Sequence, residues 1–285
     1  MNILTFDIED WWIYEKAGLG DKAEWRKRLD WYLDSILELL NKRGFKATFF
    51  VLGKMVECAP DVVLKIDRAG HNIGSHSYSH TFLRNFDYAQ AEEDTRKGID
   101  AVEQLIGKKV TAYRAPAFSI TPENKYMFEI LHKCGIEMDA SIFPAGRAFG
   151  GFADFHSDNP VIVNYNGVKI KEFPIPMTQV MGKRIAYSGG GYFRLFPYNR
   201  IKSIVSQSDY VMTYFHIKDM DAGQMRRYRG LENESAPVRY FKNYYGLKHC
   251  FPKFCKLVTA FEFVSLEQAD KLFNWNTDQS IIKLD

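Results

Sequence analysis

Cysteine is scarce in this sequence. The four cysteines among 285 residues, Cys58, Cys134, Cys250 and Cys255, include no C-x2-C pair. They are too few and too scattered for a disulfide framework, so we expect them to be reduced. Reduced cysteines suit a cytoplasmic protein.

Long apolar runs and a strong charge bias are also missing. The apolar stretch at the N-terminus has no basic segment before it and meets Asp7 within a few residues, unlike a signal peptide. No run reaches the ~18 apolar residues that a membrane-spanning helix needs. The net charge of +3 is too small to indicate nucleic acid by itself. We therefore expect a soluble, cytoplasmic protein with no transmembrane segment and no nucleic-acid partner.

The composition is globular, with 46% hydrophobic and 15% aromatic residues. Short apolar runs alternate with amphipathic stretches, which is typical of βα units around a parallel sheet. A predicted strand at Ile3–Phe6 is followed by helical spacing over Glu24–Arg43, by Gly44 as a stop signal, and by a strand at Ala47–Leu52. Neither a linker nor a repeat interrupts the chain, so we predict one domain over residues 1–285.

The alternation continues to about residue 140 and is then interrupted. Other elements predicted in the first half are helices at Pro60–Ala69, Tyr88–Ile106 and Pro122–Cys134 and strands at Asn72–Ser75, Thr111–Tyr113 and Glu137–Ala140. Asn166-Gly167 then indicates a β-hairpin of Val161–Tyr165 and Val168–Phe173, and Gly189–Gly191 indicates a loop. The last predicted elements are helices at Pro197–Gln207, Pro237–Ala260 and Leu266–Phe273 and strands at Tyr210–Phe215 and Glu262–Ser265.

Two histidines four residues apart, His76 and His80, form the most informative pair in the sequence. One turn of helix or a tight loop would place both imidazoles on one side. A carboxylate from the acidic cluster Asp7–Asp10 would then complete three ligands of a divalent metal and leave positions open for water and substrate. Chance alone produces such a pair in roughly one chain of this composition in six, so two solvated histidines on a loop are the alternative.

The candidate residues share one position relative to the predicted strands. Each lies at or just beyond the carboxyl end of a strand, and the set is Asp7, Glu9, Asp10, His76, His80, Arg114, Asp139 and His216. In a parallel βα barrel these strand ends form one rim, where active sites are built. The alternatives are structural: Asp7 and Asp10 as helix caps, Arg114 as an ion-pair residue, and His216 as a buried core histidine.

The order of these motifs resembles the polysaccharide deacetylase family, the NodB-type carbohydrate esterases, over nearly the whole chain. Thr5–Asp10 is similar to the family's Thr-Phe-Asp-Asp motif, and Gly74–His80 matches its His-Ser/Thr-x-x-His motif. Arg114–Pro116 resembles the Arg-x-Pro motif and Tyr214–His216 the final histidine motif, whereas Asp139–Ser141 matches the fourth motif poorly. The resemblance implies an α/β fold, a distorted (β/α) barrel of seven or eight parallel strands with a β-hairpin insertion.

Further segments resemble a subgroup associated with exopolysaccharide and surface-glycan synthesis: Glu172–Pro176, Gly189–Phe193 and Asp221–Gln224. The family resemblance implies a metal-dependent hydrolase that removes N-acetyl groups from amino sugars. The substrate would be a polysaccharide, an oligosaccharide or a lipid-linked glycan precursor, and the missing signal peptide favours a cytoplasmic precursor.

The acidic motif departs from the family's pattern, because Ile8 stands where the family has its second acidic residue. The metal carboxylate is then Glu9 or Asp10. Residues two apart on a strand point to the same face, so Glu9 is slightly favoured as the partner of Asp7. Together with His76 and His80, this carboxylate suits Zn²⁺ best, and Fe²⁺, Co²⁺ or Ni²⁺ are also compatible with these ligands.

The resemblance also implies roles for the other residues. Asp7 would be the general base, Arg114 would orient it and keep it ionised, and His216 would protonate the amine leaving group. Asp139 would hold His216 in position. A backbone N–H near Pro116–Phe118 would complete the oxyanion hole.

Substrate contacts are predicted from ring chemistry, because aromatic rings stack on the apolar faces of sugars. The candidates are Trp11, Pro116 and Tyr192, with Trp12, Tyr14 and Tyr187 as further rings, although aromatic side chains at a barrel rim are as often packing residues. A basic cluster is most simply a solvated face. Its alternative role is peripheral contact with an acidic glycan or a lipid-linked diphosphate. The cluster consists of Arg226, Arg227, Arg229, Arg239, Lys242, Lys248, Lys253 and Lys256.

Two other functions remain compatible with the sequence. The altered acidic motif allows a metal-independent amide hydrolase of the allantoinase-like branch of this fold, although such relatives typically lack the intact histidine pair. A non-catalytic glycan-binding module is the other alternative, and the intact set of candidate base, acid and ligands argues against it.

Overall fold

A mainly parallel sheet organises the molecule, seen in a computed structural model that describes residues 1–147, 149–228, 235–275 and 281–284. The strands are β1 (Asn2–Ile3), β2 (Thr5–Ile8), β3 (Thr48–Val51), β4 (Asn72–Ser75), β5 (Ala112–Tyr113), β6 (Met138–Asp139), β7 (Val161–Tyr165), β8 (Val168–Glu172), β9 (Met177–Val180), β10 (Lys183–Ala186), β11 (Val211–Met212), β12 (Phe215–His216) and β13 (Ile281–Lys283). Among these described residues, nine strands form one sheet in the order β12-β2-β3-β4-β5-β6-β8-β7-β13. All its neighbouring pairs are parallel except the β7–β8 hairpin.

The first and last strands of the regular alternation are neighbours, as in a barrel. β1 and β11 form a separate parallel pair in which Asn2 faces Val211. Further along the same two segments, β2 pairs with β12 in the same register, so that Phe6 faces Phe215. The two pairs are therefore one interrupted ladder. Within the part of the chain that the structure describes, β12 and β13 are the two edges of the sheet, so the barrel is distorted and open on one side.

Helices pack against the sheet, and their bounds follow capping and spacing signals. They are α1 (Asp10–Lys16), α2 (Lys22–Arg43), α3 (Gly53–Cys58), α4 (Pro60–Arg68), α5 (Tyr88–Ile106), α6 (Met127–Lys133), α7 (Gly190–Leu195), α8 (Tyr198–Gln207), α9 (Ala236–Tyr244), α10 (Leu247–Ala260) and α11 (Leu266–Leu272). In α2, Leu29, Leu33 and Leu40 recur at helical spacing and are fully buried, each contributing about 1.5–3 kcal/mol of hydrophobic free energy. Gly44 ends this helix with φ 67°, the left-handed conformation that glycine adopts without strain.

Most predicted elements are present. The predicted helix Tyr88–Ile106 and the hairpin around Asn166-Gly167 are confirmed. The predicted helix Pro122–Cys134 is instead a 3-10 turn at Pro122–Asn124 followed by α6. The reason is local, because the Asn124 side chain binds the backbone of Ser119 and Thr121 and closes the turn.

The other differences lie in the second half of the chain. The predicted loop at Gly189–Gly191 contains the start of α7. The predicted helix Pro237–Ala260 is divided into α9 and α10 at Gly246, which has φ 73° and allows the chain to turn there. The predicted strand Glu262–Ser265 is reduced to one parallel bridge between Ile3 and Val264.

The parallel sheet brings the carboxyl ends of its strands to one edge. Asp7 and His216 face each other in the register of β2 and β12. His76 follows β4, Arg114 follows β5, and Asp139 ends β6. The sheet therefore collects side chains that are more than two hundred residues apart in sequence at the expected rim.

Candidate active site

Asp7 lies at the centre of the rim and is held by Arg114. Arg114 Nη1 donates to Asp7 Oδ1 at 2.8 Å and to Thr5 Oγ1 at 2.8 Å. Its Nε donates to the carbonyl oxygen of Ala140 at 3.1 Å, and its side chain is fully buried. Burial by itself would raise the pKa of Asp7, but the charge of Arg114, with those of two nearby histidines, lowers it below the ordinary value. The arrangement keeps Asp7 ionised, as a general base requires.

His76 presents one ring nitrogen to the rim. Its Nδ1 lies 2.7 Å from the carbonyl oxygen of Arg114. Because a carbonyl oxygen only accepts, Nδ1 carries the proton and the lone pair of Nε2 is available. Nε2 lies 3.6 Å from Glu9 Oε2. A hydrogen bond of this kind to the second ring nitrogen is typical of metal-binding histidines.

The loop after His76 turns sharply and brings His80 beside it. Ser77 and His80 both have positive φ, 64° and 59°, which non-glycine residues adopt only when their surroundings impose it. Asp94 of α5 imposes it here, since its carboxylate accepts the backbone N–H groups of Tyr78 and Ser79 at 3.1 Å each. Ser77 Oγ accepts the N–H of His80 at 3.2 Å. The predicted tight loop thus brings the two imidazole centroids within 5.4 Å of each other.

Glu9, His76 and His80 form a candidate metal site. One ligand atom from each residue lies within 4.8 Å of the other two. Glu9 Oε2 is buried between the imidazoles, in contact with Nε2 of His80 and 3.6 Å from Nε2 of His76. A buried carboxylate oxygen in this position fits a divalent cation, and two imidazoles with one carboxylate are a ligand set that Zn²⁺ accepts.

Asp10 is turned away from the histidines by Lys218. The backbone N–H of Lys218 donates to Asp10 Oδ2 at 2.8 Å, and its Nζ lies 3.3 Å from Asp10 Oδ1. The same Nζ lies 3.0 Å from Glu9 Oε1 and leaves Glu9 Oε2 facing the imidazoles. Of the two carboxylates predicted as possible ligands, the structure therefore brings Glu9 to the histidine pair.

Lys218 is the main site residue that the sequence interpretation missed. Lys218 stands only two residues after His216, in the segment His216–Asp219. This short distance in sequence from a predicted site residue was the signal that could have identified it. Burial by itself would raise the pKa of Glu9, but the charges of His80 and Lys218 lower it well below the ordinary value. Lys218 thus supplies part of the positive charge that this buried carboxylate requires.

His216 completes the rim opposite the histidine pair. Its Nε2 lies 3.8 Å from Asp7 Oδ2 and 3.4 Å from Glu9 Oε1. Its Nδ1 lies 3.3 Å from Asp219 Oδ2, and Asp219 is paired with the buried Arg194. Burial and Lys218 lower the pKa of His216, but Asp219 and Glu9 outweigh them and raise it to about 9. His216 is therefore protonated at neutral pH and can donate a proton.

The prediction that Asp139 holds His216 is wrong. Four strands separate β6 from β12 in the sheet, and the Nδ1 of His216 faces Asp219 instead. Asp139 is fully buried, accepts a hydrogen bond from Ser141, and is in hydrogen-bond contact with the carboxyl group of Glu172. Two carboxyl groups can share a hydrogen bond only when one of them is protonated. Asp139 therefore belongs to a buried carboxyl pair behind Arg114.

The predicted substrate residues are only partly placed to meet a sugar. Trp11 is 1% exposed and donates from Nε1 to Asp30 at 2.7 Å, so its predicted stacking on substrate is wrong. Pro116 is also buried. Tyr192 is 36% exposed and remains a candidate. Trp12, in contrast, is half-buried, and its ring centre lies 6.4 Å from that of His80.

Two further rings near the histidines were not predicted. Phe82 lies 6.2 Å from His80, ring centre to ring centre, and 5.3 Å from Phe149. Both phenylalanines are half-buried and continue the wall that Trp12 begins. Phe82 follows the histidine pair by two residues, so its sequence position was a usable signal. Phe149 comes from a different part of the chain and was not accessible to such reasoning.

Comparisons with known proteins find matches among deacetylases. The family model described as polysaccharide deacetylase matches residues 4–138, and a domain of unknown function (DUF3473) matches residues 140–271. A chitin deacetylase of Pestalotiopsis sp is 37% identical over 91 residues, which are 31% of this chain and 30% of that protein. The Helicobacter pylori (strain ATCC 700392 / 26695) peptidoglycan deacetylase is 31% identical over 107 residues, 38% of this chain and 36% of that protein. The chain thus matches only about a third of the length of these relatives.

Solved structures share the fold at low sequence identity. A Mycobacterium smegmatis protein assigned as a polysaccharide deacetylase aligns with a TM-score of 0.63 and 16% identity, over 97% of this chain and 92% of its own. A pseudoenzyme of carbohydrate esterase family 4 (CE4) from Bacillus anthracis aligns with a TM-score of 0.50 and 14% identity, over 99% and 69% of the two chains. Among the described residues, the helices are all too short or too polar to span a membrane.

Proposed function

We propose that the chain is a metal-dependent deacetylase, because residues 4–138 match the family model described as polysaccharide deacetylase. Its substrates would be N-acetylated amino sugars of a polysaccharide, an oligosaccharide or a lipid-linked glycan precursor.

The observation that carries the proposal is the convergence of Glu9, His76 and His80 beside Asp7 and His216. Base, acid and three metal ligands then lie within reach of one acetamide group.

The metal would be held by His76, His80 and Glu9, with Zn²⁺ favoured and Fe²⁺, Co²⁺ or Ni²⁺ also compatible. When bound, it polarises the acetyl carbonyl and lowers the pKa of the attacking water. Asp7 takes a proton from that water as the water oxygen bonds to the acetyl carbon. Arg114 keeps Asp7 ionised and oriented through the 2.8 Å hydrogen bond.

His216 supplies the second proton transfer. As the carbon–nitrogen bond breaks, its Nε2 proton passes to the departing amine, which leaves acetate and a free amino sugar. Asp219 orients His216 by accepting from Nδ1. For the oxyanion, Phe118 N–H already donates to Ala115 and Ser119 N–H to Pro116, so Ala117 N–H is the donor that this turn still offers.

The aromatic wall supports a sugar substrate. Trp12, Phe82 and Phe149 are half-buried and lie on the side of His80, so each leaves part of a ring open to a sugar face.

We also propose membership in the exopolysaccharide and surface-glycan subgroup. The segments that suggest it support the rim: Glu172 pairs with Asp139, and Gly189 packs so closely on Tyr214 that a Cβ there would lie 2.1 Å from the Tyr214 carbonyl oxygen.

One observation favours a second candidate function, a metal-independent amide hydrolase. Lys218 Nζ lies 3.0 Å from Glu9 and already supplies a positive charge where a metal would. In that case the ammonium group would stabilise the oxyanion. The two candidates differ in a simple respect, because only the first loses activity when the metal is removed.

The test measures bound metal and acetate release in the same preparations. Purified protein is analysed for transition metals and then assayed on N-acetylglucosamine oligosaccharides. We expect about one equivalent of metal and metal-dependent acetate release. Both should be lost in His76→Ala/His80→Ala and retained in His132→Ala/His156→Ala, which removes two exposed histidines elsewhere.

Each contrary result has a separate meaning. Full activity after metal removal would exclude the metal mechanism and favour the Lys218 alternative. Glycan binding without acetate release, whatever metal is supplied, would identify a non-catalytic glycan-binding module. Unchanged metal content in His76→Ala/His80→Ala would show that the metal lies elsewhere.

A further inference from the structure

Helix α9 exposes an apolar stripe. Val238 and Phe241 of α9 lie three residues apart on one helical face, and Tyr245 directly follows the helix. The three side chains are 48%, 49% and 49% exposed, and the rings of Phe241 and Tyr245 lie 4.6 Å apart. No residue of α9 is buried. The helix is anchored at its end by Tyr244, whose Oη accepts the backbone N–H of Arg227 at 2.9 Å. We call Val238, Phe241 and Tyr245 the α9 stripe; it is held towards solvent.

A cleft of about 660 Å³ adjoins the stripe. Tyr245 belongs to both, and Leu195, 47% exposed, extends the apolar surface at the mouth of the cleft. The described residues that line it include no aspartate or glutamate but six basic residues: Arg194, Arg226, Lys248, His249, Lys253 and Lys256. We call this the cationic cleft. Such a concentration of one sign of charge attracts anions.

The basic residues of the cationic cleft fall into two groups. Arg194 and Lys253 serve the fold: Arg194 pairs with Asp219, and Lys253 Nζ donates to the carbonyl oxygens of Phe193 and Arg194. The other basic residues, Arg226, Lys248, His249 and Lys256, are exposed. None of these four forms an ion pair with another described residue in the structure. They are placed to meet an external anion.

The α9 stripe and the cationic cleft together indicate what kind of partner binds here. An acidic sugar or free phosphate would explain the cations of the cleft but not the exposed α9 stripe. Helices that lie at a membrane interface combine both features, with apolar and aromatic side chains beside lysine and arginine. We propose that the α9 stripe and the cationic cleft dock this protein on a bilayer surface with anionic phosphate headgroups. This inference goes beyond the deacetylase proposal and does not depend on it.

The docking surface lies close to the rim. Arg194 lines the cationic cleft and also contacts Asp219, which holds His216. One layer of side chains therefore separates the cleft from the proposed acid. A protein docked by this surface would hold its rim near glycans that are attached to the membrane.

The test measures how much full-length protein sediments with vesicles. One set contains phosphatidylcholine alone and the other phosphatidylcholine mixed with phosphatidylglycerol. We expect binding to the mixed vesicles that weakens as salt screens the charges. Lys248→Glu/Lys256→Glu should reduce it by more than about 25-fold, since each lost cation costs on the order of fivefold and each new carboxylate is repelled by the anionic surface. Val238→Ser/Phe241→Ser should reduce it by about tenfold through lost apolar contact.

Matched controls change the same chemistry elsewhere. Lys169→Glu/Lys183→Glu alters net charge equally, and Met181→Ser removes a side chain that is 98% exposed; both should bind as the parent does. Equal binding to neutral vesicles, or equal losses in the controls, would overturn the proposal. Displacement from the vesicles by a soluble oligosaccharide of N-acetylglucosamine and glucuronate would assign the cleft to glycan instead. Acetate release from soluble oligosaccharides, measured on every variant, separates a docking failure from a failure of the deacetylase proposal.

Discussion

Two groups of buried carboxyl groups lie at the same edge of the sheet, but they differ in their neighbours. Asp7 and Glu9 face Arg114, Lys218 and histidines, and their pKa values are lowered in spite of burial. Asp139 and Glu172 face mainly each other. Burial raises the pKa of Asp139 to about 6, and burial together with Asp139 raises that of Glu172 well above its ordinary value.

The comparison shows that burial does not decide the charge of a carboxyl group by itself. Desolvation raises the pKa in both groups, and the nearby cations reverse its effect only at Asp7 and Glu9. Asp7 and Glu9 are thus kept ionised, as the proposed roles of base and metal ligand require. The Asp139–Glu172 pair keeps a proton and contributes a hydrogen bond behind Arg114.

The largest expected effect comes from removing the cation of the rim. Arg114→Met leaves Asp7 buried without its partner, and breaking a buried ion pair in this way costs roughly 3–5 kcal/mol. We expect that loss in the free energy of unfolding, measured with urea, together with loss of acetate release. In Arg114→Met/Asp7→Asn the unpaired charge is gone, so stability should largely return while activity does not. A double variant as unstable as the single one would contradict this account.

The second expected effect is a pH dependence of stability that originates in the Asp139–Glu172 pair. Since their folded-state pKa values are raised, the folded protein holds protons that the unfolded chain releases above about pH 4. Stability from this pair should therefore fall as pH rises from about 4 through 6 and beyond. Glu172→Gln removes one ionising group, and its amide can donate to Asp139. The total fall in the free energy of unfolding over this pH range should therefore be smaller by roughly 1–3 kcal/mol.

Urea unfolding between pH 4 and 8 provides the measurement. Glu137→Gln is the matched control, because Glu137 is exposed and its exchange should leave the slope unchanged. Equal slopes in Glu172→Gln and the parent protein would show that the pair carries no shared proton.

The smallest effect tests whether Lys218 competes with the metal. Removing its ammonium group in Lys218→Met should make metal binding tighter by about tenfold, because a cation near Glu9 repels a second one. Metal-free Lys218→Met should be less stable than the parent, since Glu9 and Asp10 lose their shared cation. Lys218→Arg keeps the charge and should retain the parent affinity. Weaker metal binding in Lys218→Met would instead mean that Lys218 mainly orients Glu9. Titration calorimetry measures these affinities.

Local sequence patterns predicted much of the fold and the types of residue in the site. Helical spacing and Gly44 indicated α2, and the strand ends indicated where Asp7, His76, Arg114 and His216 would lie. The helices could be predicted because periodicity and capping act over short stretches of sequence. The location of the site residues could be predicted because parallel strands share one direction and bring their carboxyl ends to one edge. The extent of one domain over residues 1–285 stays a prediction.

The sequence by itself determined that Asp7, His76, Arg114 and His216 reach the rim, because each stands near or just after the end of a strand. Only the tertiary structure decided which of them meet. It separated Asp139 from His216 by four strands, buried Trp11 against Asp30, and placed Lys218 between Glu9 and Asp10. Strand order and side-chain packing depend on contacts between distant segments, and those contacts leave no local pattern in the chain.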